Sequence, residues 1–364
     1  MSENLKKTPL HAQHVEAGGR MVPFAGFEMP VQYSGVVDEH KAVRDAVGLF
    51  DVSHMGEVEF TGARALEVVN RIITNDLDKI ADGQAAYTVM CNESGTIIDD
   101  LVVYRFSAER ILICVNAANR EKDFAWMEKQ TNGDCEVKDV GDDYAQIAVQ
   151  GPNAEALVAR LTSTDVTAIG RYRFAVGKVV DVDAIIARTG YTGEDGFELY
   201  VASADAPKVW NALLEKGADL GVKPAGLGAR DSLRLEVCYP LYGNDIDETT
   251  NPYEAGLGWV VKLKKAGDFV GKAALEQVKA DGPKKKLVGV QLVGRGIARQ
   301  HYPVLVGGEK VGEVTSGTMG PTVEKPVALA YVPAEHSAVG TDIQVEVRNK
   351  PIDAKVAKKP FLQK

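Results

Sequence analysis

The stretch Thr96 to Phe106 (TIIDDLVVYRF) constrains this chain more than any other. Side chains in a strand alternate with period two. Ile98, Asp100, Val102 and Tyr104 therefore share one face, and Ile97, Asp99, Leu101 and Val103 the other. Both faces are apolar, which predicts a strand covered on two sides. Its two neighbouring acids point in opposite directions and cannot share one role. Burying a carboxylate without a partner is costly, so each needs a reason to be there. One or both can cap a turn or pair with an arginine such as Arg105. Alternatively, one faces a pocket, where it can hydrogen-bond a nitrogen heterocycle or stabilise a cation. The residues alone leave both readings open.

Around that strand the pattern mixes helices with strands. Asp38 to Arg44 has helical spacing, with Gly48 as a stop. Gly56 to Thr61 reads as a strand because Val58 and Phe60 alternate with acids, and Ala63 to Ile73 carries a helical apolar stripe. Gln84 to Phe106 holds two strands around the turn Asn92-Glu93-Ser94-Gly95, and Ile111 to Val115 is a short strand. Arg120 to Lys129, Ala154 to Leu161 and Ala206 to Gly217 are predicted helices; Tyr144 to Val149 and Val179 to Arg188 are predicted strands. Near Asp281-Gly282-Pro283-Lys284-Lys285-Lys286 the composition shifts, as in a solvated linker. Beyond it lie short strands at Leu287 to Val293, Val304 to Val306, Lys310 to Thr315, Val327 to Val332 and Ile343 to Val347. The reading is an α+β region up to that linker, then a small all-β sandwich or barrel.

Several functions are excluded early. A net charge of −9 over 364 residues does not suit a chain built to grip a phosphate backbone, so nucleic acid is not an expected partner. Cys91, Cys114, Cys135 and Cys238 form no CxxC pair, and of six histidines only His11 and His14 are close in sequence, so no metal site is expected. Buried free thiols fit a reducing compartment. MSENLKKTPL holds no apolar run for a leader, and no stretch reaches the roughly 20 apolar residues of a membrane helix. The expectation is a cytoplasmic protein. Dinucleotide, P-loop, zinc-hydrolase and serine-elbow motifs do not occur.

Two further segments carry chemistry. Thr189 to Glu198 (TGYTGEDGFE) spaces glycines at 190, 193 and 196, which lets a loop approach a ligand or another loop closely. Tyr191 offers a flat face, and Glu198 can accept two N–H bonds from an amino-pyrimidine edge, although a tight structural loop with a solvated acid fits as well. Gly226 to Glu236 runs from glycines into a helix with Arg230 and Arg234 one turn apart. Arg230 can fork onto a ligand carboxylate or carbonyl, or pair internally with Asp231 or Glu236.

In order along the chain these segments resemble the T-protein of the glycine cleavage system, a tetrahydrofolate-dependent aminomethyltransferase, from about Thr8 to Phe361. The matching motifs include Met21-Val22-Pro23-Phe24-Ala25-Gly26-Phe27, Phe50-Asp51-Val52-Ser53-His54-Met55, Gly95-Thr96-Ile97-Ile98-Asp99-Asp100-Leu101 and Val115-Asn116-Ala117. They continue with Gly190-Tyr191-Thr192-Gly193-Glu194, Gly228-Ala229-Arg230-Asp231-Ser232-Leu233-Arg234-Leu235-Glu236, Leu241-Tyr242-Gly243-Asn244, Thr315-Ser316-Gly317-Thr318 and Lys359-Pro360-Phe361.

The resemblance implies three domains in a ring around a central folate channel: a folate-binding region over 1–280 made of two interleaved subdomains, one at about 55–140, and a small C-terminal β-barrel over 284–364. It also implies the reaction. Lipoylated H-protein presents an aminomethyl group on its dihydrolipoyl sulfur, ammonia leaves, and the one-carbon unit passes to tetrahydrofolate as the methylene form. Asp100 matches the family's catalytic carboxylate, which orients folate nitrogens and stabilises an iminium-like cation, while Asp99 is structural. Met55, Tyr87, Asn116, Tyr172 and Tyr191 match pocket-lining positions, and Glu198 and Arg230 match polar contacts to folate. The family implies a monomer. Some relatives carry further C-terminal residues near the folate tail, whereas this sequence runs to Gln363-Lys364.

Two other classes share such a fold. An iron–sulfur maturation accessory protein carries a Lys-Gly-Cys-aromatic stretch, in which none of the four cysteines stands. A flavin-linked N-demethylase is longer and has a dinucleotide-binding half. A folate-binding module without aminomethyl transfer is the alternative function.

Overall fold

The computed structural model describes residues 5–363. Residues 1–4, on which the reading of an absent leader partly rests, and Lys364 lie outside the described residues. The fold is α+β and ends in a closed barrel, as expected. The chain divides into two compact units. One comprises Met1–Asn70, Asp76–Tyr87 and Leu101–Asp231; the other comprises Arg71–Asn75, Thr88–Asp100 and Ser232–Lys364.

The first unit is organised by a six-stranded sheet in the order Phe174–Val179, Val182–Ala187, Gly196–Ala202, Tyr144–Gln150, Val47–Asp51 and Val222–Pro224. All neighbours are antiparallel except the last pair. One face packs Leu49, Ile147, Val149, Ile186, Phe197 and Leu199 against the helix Ala206–Lys216. That helix buries Val209, Trp210 and Leu213, the spacing a single helical stripe requires.

The N-terminal region departs from expectation. Thr8 to Phe50 holds a hairpin, Arg20–Phe24 with Phe27–Gln32, in a stretch where the sequence reading has only the helix at Asp38 to Arg44. Pro23 and Pro30 argue against a central strand, and a two-stranded ribbon tolerates them. Ala25 and Gly26 make the turn with φ of 48° and 81°, the left-handed pair whose twist matches a hairpin. The following helix runs Val36–Asp45. Its Glu39 is fully buried and accepts the backbone N–H groups of Tyr33, Gly35 and Gly226, which ties the hairpin to the approach of the helix Leu227–Glu236. A side chain at Gly226 would stand 2.5 Å from the Val31 carbonyl, so glycine is needed for that approach.

At the end of Val47–Asp51, Asp51 accepts hydrogen bonds from Thr8 (2.6 Å) and His14 (2.8 Å), and the Ser53 amide donates to it. Burial pushes this carboxyl up, but those partners outweigh burial and hold it below the usual range. The knot fixes the turn that leads to His54 and Met55.

A five-stranded sheet has the order Gln84–Cys91, Ile97–Ser107, Arg110–Val115, Gly56–Thr61 and Glu136–Asp139. Its strand Ile97–Ser107 is the one expected to be covered on both faces, and Ile97, Ile98, Leu101, Val103 and Tyr104 are all buried.

In the second unit the expected linker shrinks. Lys272–Asp281 is helical, Gly282 ends it with φ of 80°, and a strand already begins at Lys285. Lys285 spreads over the Tyr331 ring at 4.9 Å rather than extending into solvent. The barrel has six strands in the order Lys285–Leu292, Lys325–Pro333, Glu309–Gly320, Pro303–Val306, Asp342–Val347 and Lys350–Ala357. Sequence reading missed the last, which closes the ring by pairing Val290 with Val356. Val290, Val304, Val314, Ala330 and Val345 fill the interior.

Candidate active site

Glu198 sits in the strand Gly196–Ala202, opposite Ala148 and Ala187. Each of its carboxylate oxygens takes one neutral donor. Gln146 Nε2 donates to Oε1 at 3.0 Å, and Thr189 Oγ1 donates to Oε2 at 2.5 Å. The same Gln146 nitrogen donates to the Tyr200 hydroxyl at 3.0 Å, and Tyr200 meets Tyr104 at 2.9 Å. Burial pushes the Glu198 carboxyl above its ordinary range, opposed by the Thr189 bond, the Arg230 charge and the Gln146 bond.

The glycine-spaced loop before Glu198 is fastened to the neighbouring strand. A Cβ at Gly190 would stand 2.0 Å from Gln150 Oε1, and one at Gly196 would stand 2.3 Å from the Val149 carbonyl. The glycines therefore serve close packing on the strand Tyr144–Gln150. Gln150 accepts from Thr192 Oγ1 and donates to the Thr189 carbonyl, while Arg44 grips Thr192 and Glu194. Tyr191 is left half-buried with its ring beneath Arg230, whose guanidinium carbon lies 4.5 Å from the ring centroid. Arg230 forms no carboxylate ion pair among the described residues, so internal pairing with Asp231 or Glu236 does not occur. Arg234, one turn later, is a different case. It is fully buried and donates to Asp245 Oδ2 at 2.5 Å and to Ser316 Oγ at 2.7 Å.

Met55 and Tyr172 pack on one apolar cluster with Tyr104, Cys114, Phe174 and Tyr200. Tyr172 holds φ of 56°, a left-handed conformation unusual for a bulky residue, and its backbone is pinned by Arg188 and Ala85. Tyr87 is half-buried on Gln84–Cys91, two residues beyond Ala85 of the same cluster. Asn116, also half-buried, follows Arg110–Val115 and opens a short 3₁₀ turn.

His54, just before Met55, is fully buried among the rings of Phe24 and Phe27. Its Nδ1 has no hydrogen-bond partner. Burial, and then the Arg230 charge, press its pKa down to about 4, so it is neutral. Of the acid pair, Asp99 is fully buried and Asp100 is half-buried, the asymmetry that opposite directions predict. Asp100 lies in the second unit, while Met55, Tyr87, Asn116, Tyr172, Tyr191, Glu198 and Arg230 lie in the first. Among the described residues no three His, Cys, Asp or Glu side chains gather as a metal ion would require. None of their helices is long and apolar enough to cross a membrane.

The GCVT N-terminal domain model matches residues 10–265, and the glycine cleavage T-protein C-terminal barrel domain model matches 285–363. The chain belongs to the glycine cleavage T-protein family. An aminomethyltransferase of Symbiobacterium thermophilum is 50% identical, covering 99% of this chain and 98% of its own. One from Bacillus cereus is 47% identical, with 99% of each chain covered. The crystal structure of the glycine cleavage system aminomethyltransferase T from Bartonella henselae superposes with a TM-score of 0.93 at 36% identity, over 99% of this chain and 98% of that one.

Within this T-protein fold, sequence reading missed the residues that wire Glu198. Gln146 was available as a polar residue in the otherwise apolar YAQIAV strand. Thr189 was inside the quoted loop motif, but only the folded loop brings its hydroxyl to the carboxylate. Glu57 was missed because its strand read as one-sided. It is 1% exposed, and its Oε2 has no hydrogen-bond partner.

Proposed function

We propose that this chain transfers a one-carbon unit from the S-aminomethyl-dihydrolipoyl arm of H-protein to tetrahydrofolate. The products are 5,10-methylenetetrahydrofolate, ammonia and dihydrolipoyl H-protein. The bonds from the methylene carbon to nitrogen and to sulfur break, and two carbon–nitrogen bonds to the folate form. Two protons leave the folate nitrogens, one ending on ammonia and one on the thiol, with no change of oxidation state.

The observation that carries this reading is the hold on Glu198. Its carboxylate is fixed by one donor on each oxygen, which leaves lone pairs for an incoming pair of N–H groups. A folate ring offers such an edge on its amino-pyrimidine half and a flat face for stacking. Tyr191 under Arg230 supplies an aromatic face, and Met55 and Tyr172 supply apolar contact. Tyr87 and Asn116 are assigned to the same folate pocket. Asp100 is assigned the catalytic role, a carboxylate that favours positive charge developing at the methylene carbon. Asp99 is structural. All four cysteines are free thiols, consistent with a cytoplasmic enzyme.

Mixing the chain with aminomethylated H-protein and tetrahydrofolate tests the proposal. Folate-dependent ammonia release is the expected result. Folate binding without ammonia release favours a binding module instead, and absence of folate binding overturns the reading.

A further inference from the structure

Gln146 has a position that its sequence neighbours do not explain. The strand Tyr144–Gln150 buries Ala145, Ile147, Ala148 and Val149, and Gln146 among them is 2% exposed. A buried primary amide must find partners at both ends or lose stability. Its oxygen faces Cys114, whose Sγ donates at 3.7 Å. Burial raises that thiol far above its ordinary pKa, so it keeps the proton it donates. With the oxygen accepting from Cys114, the nitrogen end faces Glu198 and Tyr200, which it bonds at 3.0 Å each.

The strand register explains why a glutamine at 146 reaches. Gln146 is directly opposite Tyr200, and Glu198 is opposite Ala148. Gln146 and Glu198 are thus diagonal neighbours on one face, within reach of long side chains. Small Ala148 leaves room for the amide to cross. Thr189 takes the other oxygen from the opposite side. A carboxylate held at one oxygen can still roll about its last torsion, which is a broad, roughly two-fold well. Held at both, its plane is set, and one lone pair on each oxygen is left without a protein hydrogen bond.

We propose that Gln146 is a positioning residue that, together with Thr189, sets the plane of Glu198 for bidentate acceptance from a 2-amino-4-oxo heterocycle, and so gives the site its preference for that edge over one lacking the 2-amino group. The inference rests on the folate reading of the site. Sites built to bond a particular polar group reject analogues without it far more strongly than apolar pockets reject a missing methylene. Gln146 touches no substrate itself. It acts through Glu198.

The test compares dissociation constants of tetrahydrofolate and of its 2-desamino analogue. Wild type should favour the 2-amino ligand by about 100-fold, the scale of a charge-assisted bond lost with a half-buried carboxylate left short of a partner. In Gln146→Met that preference should fall below about tenfold, with KM for tetrahydrofolate rising more than kcat falls. A melting curve on the same sample reports folding. An unchanged preference in a folded Gln146→Met protein overturns the inference and leaves the folate reading intact. Failure of wild type to bind tetrahydrofolate overturns both. If Gln146→Met does not fold, Thr189→Val removes the donor on the other oxygen, and an unchanged preference there overturns the inference equally.

Discussion

The Arg230 guanidinium stacks over the Tyr191 ring at 4.5 Å from its centroid, joining the start of a helix to the tip of a glycine-spaced loop. The arginine is thereby held over the ring, with its charge close enough to influence Glu198 and His54. Arg230→Ala should weaken tetrahydrofolate binding about tenfold or more by removing both the stack and the charge. Arg230→Lys should recover little, because an ammonium cannot lie flat on the ring and fork onto a ligand at once. Titration calorimetry with tetrahydrofolate checks both, and full affinity in the lysine variant would show that only the charge matters.

The unequal burial of Asp99 and Asp100 separates their expected phenotypes. Asp100→Asn should lower turnover by about 10²–10³ while folate still binds, since it removes charge needed in the transition state. Asp99→Asn should lose about 1–3 kcal/mol of stability with a smaller effect on rate, because a fully buried side chain exchanges an acceptor oxygen for an amide donor. Single-turnover ammonia release and urea unfolding distinguish the two. Wild-type turnover in Asp100→Asn would remove it from the catalytic role.

What could be read in advance was whatever local pattern decides. The doubly covered strand at 97–107, the helix carrying Trp210 and the barrel's apolar alternation all follow from period and composition. Three hairpin turns were opaque for a common reason. Ala25-Gly26, Val180-Asp181 and Arg348-Asn349 all adopt positive φ at both central residues, yet none is the Asn-Gly or Asp-Gly pair that signals such a turn. Without the last, the strand Lys350–Ala357 and the closure of the barrel could not be foreseen. Glu57 shows the other limit. In GEVEF its alternation with Val58 reads as a solvated face. In the fold Glu59 meets Arg110 at the surface, while Glu57 is covered. Tertiary cover, which one strand cannot encode, made the difference.

His54 predicts a loss of stability in mild acid. Its pKa is lowered from 6.5 to about 4 in the fold by burial and by Arg230. Between those values the unfolded chain binds the proton and the folded chain does not, so stability rises with pH and is lost as pH falls through the window. The loss approaches about 3 kcal/mol near pH 4. Asp51, whose carboxyl is held below 3.8, contributes only at more acid pH and so separates from it. His54→Leu should flatten the dependence between pH 6.5 and 4.5 in urea unfolding. An equally steep loss in that variant would assign it to other groups.

Glu57 predicts the opposite slope. Burial raises its carboxyl well above 4.5; Arg120 opposes this, while Asp139, Asp142 and Glu198 add to it. A group whose folded pKa is raised keeps its proton in the fold when the unfolded chain has released it. Stability is then full below the ordinary glutamate pKa and declines as pH rises toward the folded value. Glutamine has nearly the same shape and no charge to bury, so Glu57→Gln should gain on wild type steadily as pH rises above 4.5. Glu198 is raised by burial too and still titrates in the variant, so its slope should shrink without vanishing. Urea unfolding of both proteins at pH 5.5 and pH 8 measures the gap. Equal gaps at the two pH values would mean that Glu57 is ionised in the fold, with its charge compensated by Arg120.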